Sequence, residues 1–262
     1  MIDLSGRVAL VTGAGPNIGR AISVTLAKAG AYVFCNDVDR AAADGAAKAV
    51  KDAGGRGEAL PFDITDPEAV TAAIDGASAR QGLINILVNN AAITIPKGLL
   101  DVTLAEWRRV LDVNMTGMFL CSQTVAKKLV AAKQPGAIVN IASTSGHRGR
   151  TNAVAYCSSK GGVLNMTRAM AVDLAPHKIR VNSVTPTKTG ISVGALESAG
   201  IRTVDEIPLG RLGDPQEQAN AVLFAVSDLA SFMTGEDIRM DGGALATWGA
   251  RSIFDQQGQQ KR

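Results

Sequence analysis

Aromatic side chains make up only 4% of this 262-residue chain, six Phe, two Tyr and two Trp, so a core has to be assembled from Ala, Val, Leu and Ile. Histidine is scarcer still: His147 and His177 are the only two, too few and too scattered for a metal or histidine-based catalytic centre. The three cysteines, Cys35, Cys121 and Cys157, share no metal-ligand spacing and are an odd number for a disulfide framework. Buried free thiols in a reducing compartment are the expectation, and no metal site is expected. No apolar stretch reaches the roughly 18–20 residues needed to cross a bilayer. The opening residues Met1 to Arg7 show no basic region followed by an apolar one, which argues against a secretory leader and for a cytoplasmic address. The formal charge of +3 is small and its basic residues are scattered, so neither nucleic acid nor a membrane is an expected partner.

What the chain does contain is a regular alternation. Apolar runs of strand length at 7–12, 31–36, 57–62, 85–89, 137–142, 179–184 and 237–240 are separated by segments with helical spacing. The helices are read at 18–29, 41–53, from Asp66-Pro67, over 104–132, over 153–174 and from Asp214-Pro215. Strands apolar on both faces, alternating with helices, imply a doubly wound α/β parallel sheet covered on both sides. With no linker, repeat or change of composition, residues 1–262 read as a single domain. Residues 187–206, rich in Gly, Ser and Thr, follow a strand C-terminus and are the expected substrate lid. The polar tail at 255–262 is assigned no role.

Three groups of residues carry chemistry. Val8 to Gly19 reads as strand, glycine turn and helix, with Gly13, Gly15 and Gly19 in the turn. Backbone amides there can approach a pyrophosphate, and the helix N-terminus favours its charge. Asp37 ends the second strand, where a carboxylate can accept hydrogen bonds from both adenosine ribose hydroxyls. Asp37 or Asp39 could equally cap the next helix, and both roles can hold, one residue each. Tyr156 and Lys160 stand four apart on one helix face, with Ser143 thirteen residues before the tyrosine. A cation beside a phenol stabilises the phenolate and brings its proton transfer toward neutral pH.

Thr12-Gly13-x-x-x-Asn17-x-Gly19, Asn89-Asn90-Ala91-Ala92, Asn114, Ser143 and Tyr156-x-x-x-Lys160 together resemble the short-chain dehydrogenase/reductase family, from about Leu4 to Ala246. The resemblance implies a Rossmann sheet of about seven strands, a nicotinamide cofactor and a Ser143-Tyr156-Lys160 site assisted by Asn114. Tyr156 would be the acid in ketone reduction and the base in alcohol oxidation. Lys160 would lower its pKa and hold the cofactor ribose, Ser143 would orient the substrate oxygen, and Asn114 would position a water linking Lys160 to solvent. Gly13, Asn17, Ile18 and Gly19 would surround the pyrophosphate, Asp63 and Ile64 would contact the adenine, and Asn90 would line the ribose side of the cleft. Family members are commonly homotetramers, the expectation here, with a dimer as the alternative.

The chain departs from the family pattern twice. Asn17 stands where the second motif glycine is usual, a position Asn tolerates when the backbone is left-handed. Pro186-Thr187 replaces a Pro-Gly and Ile191 a Thr, so Thr189 is the substitute for contacting the nicotinamide carboxamide. Asp37, followed by Val38 rather than a cation, favours NAD over NADP. The expected activity interconverts a small secondary alcohol and its ketone. The alternative is a dinucleotide-binding sensor or scaffold without turnover. Arg148 and Arg150, between Ser143 and Tyr156, could bind an anionic substrate but read better as solvated surface; Lys188 and Arg202, in or near the lid, are slightly better candidates for that role.

Overall fold

The computed structural model describes residues 2–190 and 204–247. Ile191, Arg202 and most of the expected lid lie outside the described residues, as does the 255–262 tail. Seven strands hydrogen-bond side by side, all parallel, in the order β3-β2-β1-β4-β5-β6-β7. They are β1 (Val8–Val11), β2 (Tyr32–Cys35), β3 (Arg56–Ala59), β4 (Ile86–Asn89), β5 (Gly136–Ile141), β6 (Ile179–Pro186) and β7 (Asp237–Met240). This is a single Rossmann-like α/β domain.

Side chains alternate between the two faces of the sheet, as the strand period requires. Ala9, Val11, Val33, Cys35, Ile86, Val88 and Val139 pack beneath α1 (Ile18–Lys28), α2 (Arg40–Asp52) and α7 (Pro215–Val226). Val8, Leu10, Phe34, Leu87, Ile138 and Val181 pack beneath α3 (Pro67–Gln81), α5 (Met118–Ala131) and α6 (Val154–Leu174). Both faces are dry along β1, β4 and β5, which explains their continuous apolar runs, while the edge strands β3 and β7 are partly exposed. Burial raises the Cys35 thiol to about 11 and the Cys121 thiol to about 12, so both are inert. No helix among the described residues is long and apolar enough to cross a membrane.

The 104–132 segment is not one uniform helix. The shorter α4 (Leu104–Leu111) passes through a π-helical stretch, Asp112–Gly117, into α5. The wide turn lets Asn114 reach backward: its Oδ1 accepts from Ile93 N at 2.8 Å and its Nδ2 donates to Ile93 O at 3.0 Å. π-turns recur at functional sites, and apolar periodicity does not register one added residue. β3 also ends earlier than the apolar run at 57–62. Asn36 Nδ2 takes the carbonyls of Leu60 and Phe62, at 3.1 and 3.0 Å, and draws the chain out of the sheet.

β1 and β4 lie side by side while the chain leaves them toward opposite edges, making the topological switch point of the sheet. The crevice beyond their carboxyl ends is where this architecture binds ligands.

Candidate active site

The turn after β1 is held from the end of β4. Thr12 Oγ1 accepts from Asn90 N at 3.1 Å and Ala91 N at 3.2 Å, and Asn90 Nδ2 donates to Gly13 O at 2.7 Å. Asn90 thus braces the turn as well as lining the cleft. At Gly13, with φ of 60°, a Cβ would fall 2.6 Å from Ala91 Cα, so only glycine fits.

Asn17 departs from the expectation. Its φ of 97° and ψ of −136° are not the left-handed helical region that Asn tolerates, but a region populated essentially by glycine. The turn survives with a strained residue, whose side chain packs against the Gly190 backbone across the cleft.

Asp37 and Asp39 divide the two roles left open by the sequence. Asp39 Oδ1 accepts from Ala41 N at 2.9 Å and caps α2. Asp37 turns to the glycine loop, its Oδ2 accepting from Gly15 N at 3.2 Å. Val38 beside it is 70% exposed. No side chain caps the start of α1, whereas Asp39, Asp66, Thr103 and Asp214 cap α2, α3, α4 and α7. A glycine-lined turn, a helix start whose amides no side chain caps and a carboxylate at the end of β2 fit a dinucleotide. Asp63 accepts from Thr65 N and Oγ1, both at 2.8 Å, which holds its carboxyl below the usual range. Ile64 is buried against the π-turn at Gly117.

The chemistry-bearing side chains meet in one cleft of about 590 Å³. Tyr156, Lys160 and Ser143 line it together with Asn17, Ile18, Asn90 and Thr189. Gly13, Gly19, Asp37, Asp63, Ile64 and Asn114 do not line this cleft. Tyr156 and Lys160 project from α6, and both are buried, at 8% and 2% exposure. Ser143 follows β5 and caps a short 3₁₀ turn, Thr144–Gly146, its Oγ accepting from Ser145 N at 3.1 Å. That turn presses on α6 at Gly146, where a Cβ would stand 2.6 Å from Lys160 O.

Burial raises the Tyr156 phenol above its ordinary value, against the Ser143 hydrogen bond and the nearby Arg150 charge, which lower it. The Arg150 guanidinium lies 5.2 Å from the Tyr156 ring centroid and the Lys160 ammonium 5.8 Å. Lys160 Nζ donates to Ile141 O at 2.6 Å, and burial lowers its pKa to about 8. Asn114 is fully buried; besides Ile93, its Nδ2 reaches Ser159 Oγ at 3.0 Å, which donates to Tyr156 O at 2.8 Å. Asn114 therefore clamps the loop after β4 to α6 between tyrosine and lysine.

Thr189 is buried; its Oγ1 accepts from Gln218 Nε2 at 3.4 Å, and the residue forms an isolated bridge to Gly213. His147 Nε2 lies 2.9 Å from the Asp237 carboxylate on β7, apart from the phenol. Sequence reasoning passed over Gly146 and Ser159, which brace the site, and read as surface Arg150, which is exposed yet borders the cleft beside the Tyr156 ring. Only Arg150 offered a signal, a cation six positions before the tyrosine in a segment that has to border the cleft.

A family model described as Enoyl-(Acyl carrier protein) reductase matches residues 13–244. The chain is 41% identical over 243 residues to cis-4-hydroxycyclohexanecarboxylate dehydrogenase of Sinomonas cyclohexanicum, covering 92% of this chain and 97% of that one. A short-chain type dehydrogenase/reductase from Mycobacterium marinum has a similar crystal structure, with a TM-score of 0.87 and 38% identity over 94% of this chain and 97% of the other. A gluconate 5-dehydrogenase from Burkholderia cenocepacia J2315, crystallised with NADP and tartrate, gives a TM-score of 0.87 at 32% identity, covering 94% and 97%. This chain belongs to the short-chain dehydrogenase/reductase family, whose members are oxidoreductases that use nicotinamide dinucleotides.

Proposed function

We propose that this family member interconverts a small secondary alcohol and its ketone with NAD(H), Tyr156 exchanging the substrate proton. The observation that carries the reading is the convergence of Tyr156, Ser143 and Lys160 in the cleft that also holds Asn17 and Ile18 of the dinucleotide turn. When bound, the nicotinamide supplies or accepts the hydride. The Ser143 hydroxyl donates to the substrate oxygen and stabilises the charge that develops there. Tyr156 gives its proton to that oxygen in reduction and removes it in oxidation. Lys160 holds the cofactor ribose and favours the phenolate. Asn114 keeps the helix turn between them in position and orders the water that carries the proton on from Lys160.

Gly13, Asn17, Ile18, Gly19 and Asn90 hold the pyrophosphate and neighbouring ribose, Asp63 and Ile64 border the adenine, and Thr189 meets the carboxamide. NAD is favoured over NADP. A phosphate on the ribose would approach the Asp37 carboxylate, already drawn onto Gly15, with no cation at Val38 to offset the repulsion. Residues 187–206 serve as the substrate lid. In support, Thr187, Lys188 and Thr189 at its start and Glu206 at its end border the cleft. Exposed Phe119 on α5 and Val172 on α6, with Phe224, Leu229 and Phe232 near α7, support assembly as a homotetramer.

The test is direct. NADH formation from NAD and a panel of secondary alcohols, polyols and hydroxy acids is followed at neutral to alkaline pH. Turnover of at least one alcohol supports the reading. Dinucleotide binding with no turnover of any alcohol or ketone favours a sensor, to which the strained Asn17 turn would then be the pointer.

A further inference from the structure

Among the described residues, the substrate side of the cleft is lined by more cations than carboxylates. Arg148, Arg150, Lys160 and Lys188 line it, with Glu206 as the lining carboxylate. Lys160 is turned to the Ile141 carbonyl. Glu206 is shared, its Oε2 lying 3.4 Å from Arg148 Nη2 and 3.6 Å from Lys188 Nζ. Arg148 also donates to Ala244 O at 3.3 Å. Arg150 is different. No carboxylate of the described residues pairs with it, and its guanidinium sits over the Tyr156 ring, 5.2 Å from the centroid.

Resting on the oxidoreductase reading of this cleft, we propose that the substrate carries a carboxylate, which Arg150 holds beside the Tyr156 phenol. The substrate is then a small hydroxy acid and the product the corresponding oxo acid. Arg150 is exposed, and cation–π attraction to the ring 5.2 Å away holds its guanidinium at the mouth of the cleft, where it can bind a carboxylate through two parallel hydrogen bonds. One unmatched guanidinium calls for one negative charge. A phosphate dianion would bring a second charge toward Glu206, which the pairing with Arg148 and Lys188 only partly offsets. The reaction balances without the anion: the carbinol carbon gives up its hydrogen as hydride to oxidised nicotinamide. The hydroxyl proton passes to Tyr156 and on to solvent, and the carboxylate is unchanged. Its position is a matter of orientation, placing the carbinol against Ser143 and Tyr156.

The experiment compares 2- and 3-hydroxybutyrate with their methyl esters, and with neutral secondary alcohols, as substrates with saturating NAD. At least one acid should exceed its ester tenfold or more in kcat/KM. Arg150→Met should raise KM for that acid at least tenfold and abolish the preference, and Arg150→Lys, which keeps the charge without the fork, should recover part of it. Malonate should inhibit oxidation of the acid competitively, and less in Arg150→Met. Equal or better use of the esters, turnover of neutral alcohols with neither acid, or an acid preference that survives Arg150→Met overturns the inference and leaves the oxidoreductase reading standing. Failure of every alcohol overturns both.

Discussion

The Lys160 ammonium donates to the Ile141 carbonyl at 2.6 Å, tying α6 to the end of β5 two residues before Ser143. The bond satisfies one of three donors, and burial still lowers the lysine to about 8 from an ordinary value of 10.5. Between these two values the unfolded chain binds more protons at this position than the folded one, so stability rises with pH. Below about 8 the desolvation cost is carried in full. Raising the pH from about 8 to 10.5 should therefore favour wild type over Lys160→Met, by about 3 kcal/mol at most. Chemical denaturation of both proteins at several pH values checks this; a difference that stays flat or moves the other way refutes it.

Tyr156→Phe removes a hydroxyl and keeps the ring near Arg150 and Lys160. Turnover should fall by roughly 10²–10⁴-fold, the usual contribution of general acid–base catalysis. NADH binding, read by fluorescence titration, should change little. Activity near wild type would dismiss the tyrosine as the proton carrier.

Cofactor choice turns on Asp37. The ratio of kcat/KM for NAD to that for NADP should exceed one in wild type and fall in Asp37→Ala. Adding Val38→Arg should move it toward NADP by a further order of magnitude. The Burkholderia cenocepacia relative crystallised with NADP makes this a sharp comparison. A wild-type preference for NADP would remove Asp37 from its assigned role.

Asn17 occupies backbone that a side chain disfavours, at a cost of order 1–3 kcal/mol. Asn17→Gly should raise the unfolding free energy by about 1 kcal/mol, reduced by the packing lost at Gly190 and by glycine's greater freedom when unfolded. Asn17→Ala should lower it. Urea titration decides, and a destabilised glycine variant would mean that the side chain outweighs the strain.

Light scattering across a range of protein concentrations should give the mass of a tetramer. Phe119→Glu together with Val172→Glu should split it into smaller species. A wild-type monomer mass independent of concentration would exclude assembly through these helices.

The parallel sheet was legible because β1, β4 and β5 are apolar runs buried at every position and α2, α3, α4 and α7 open on a capping side chain. The clustering of Ser143, Tyr156 and Lys160 was legible because local spacing and strand order bring them to one end of the sheet. What escaped the sequence depends on long-range contacts. The π-turn at Asn114 exists because a side chain finds the Ile93 backbone, and no periodicity announces that. The conformation of Asn17 is set by a turn squeezed between two strands, so residue preference alone assigned it the wrong region of backbone space. Arg150 read as solvated surface and is exposed; what the sequence did not show is that it also lies 5.2 Å from the Tyr156 ring centroid, a contact made by the fold of the loop before α6.

Gly146 gives the cleft a fixed internal ruler. Since the turn bearing Ser143 rests on the main chain of α6, the gap from hydroxyl to phenol is set by backbone thickness and does not follow the packing of neighbouring side chains. Attempts to widen substrate scope by recarving the walls can leave this interval intact. Any substituent at position 146 becomes a wedge, and saturation libraries there should return glycine almost alone among active clones.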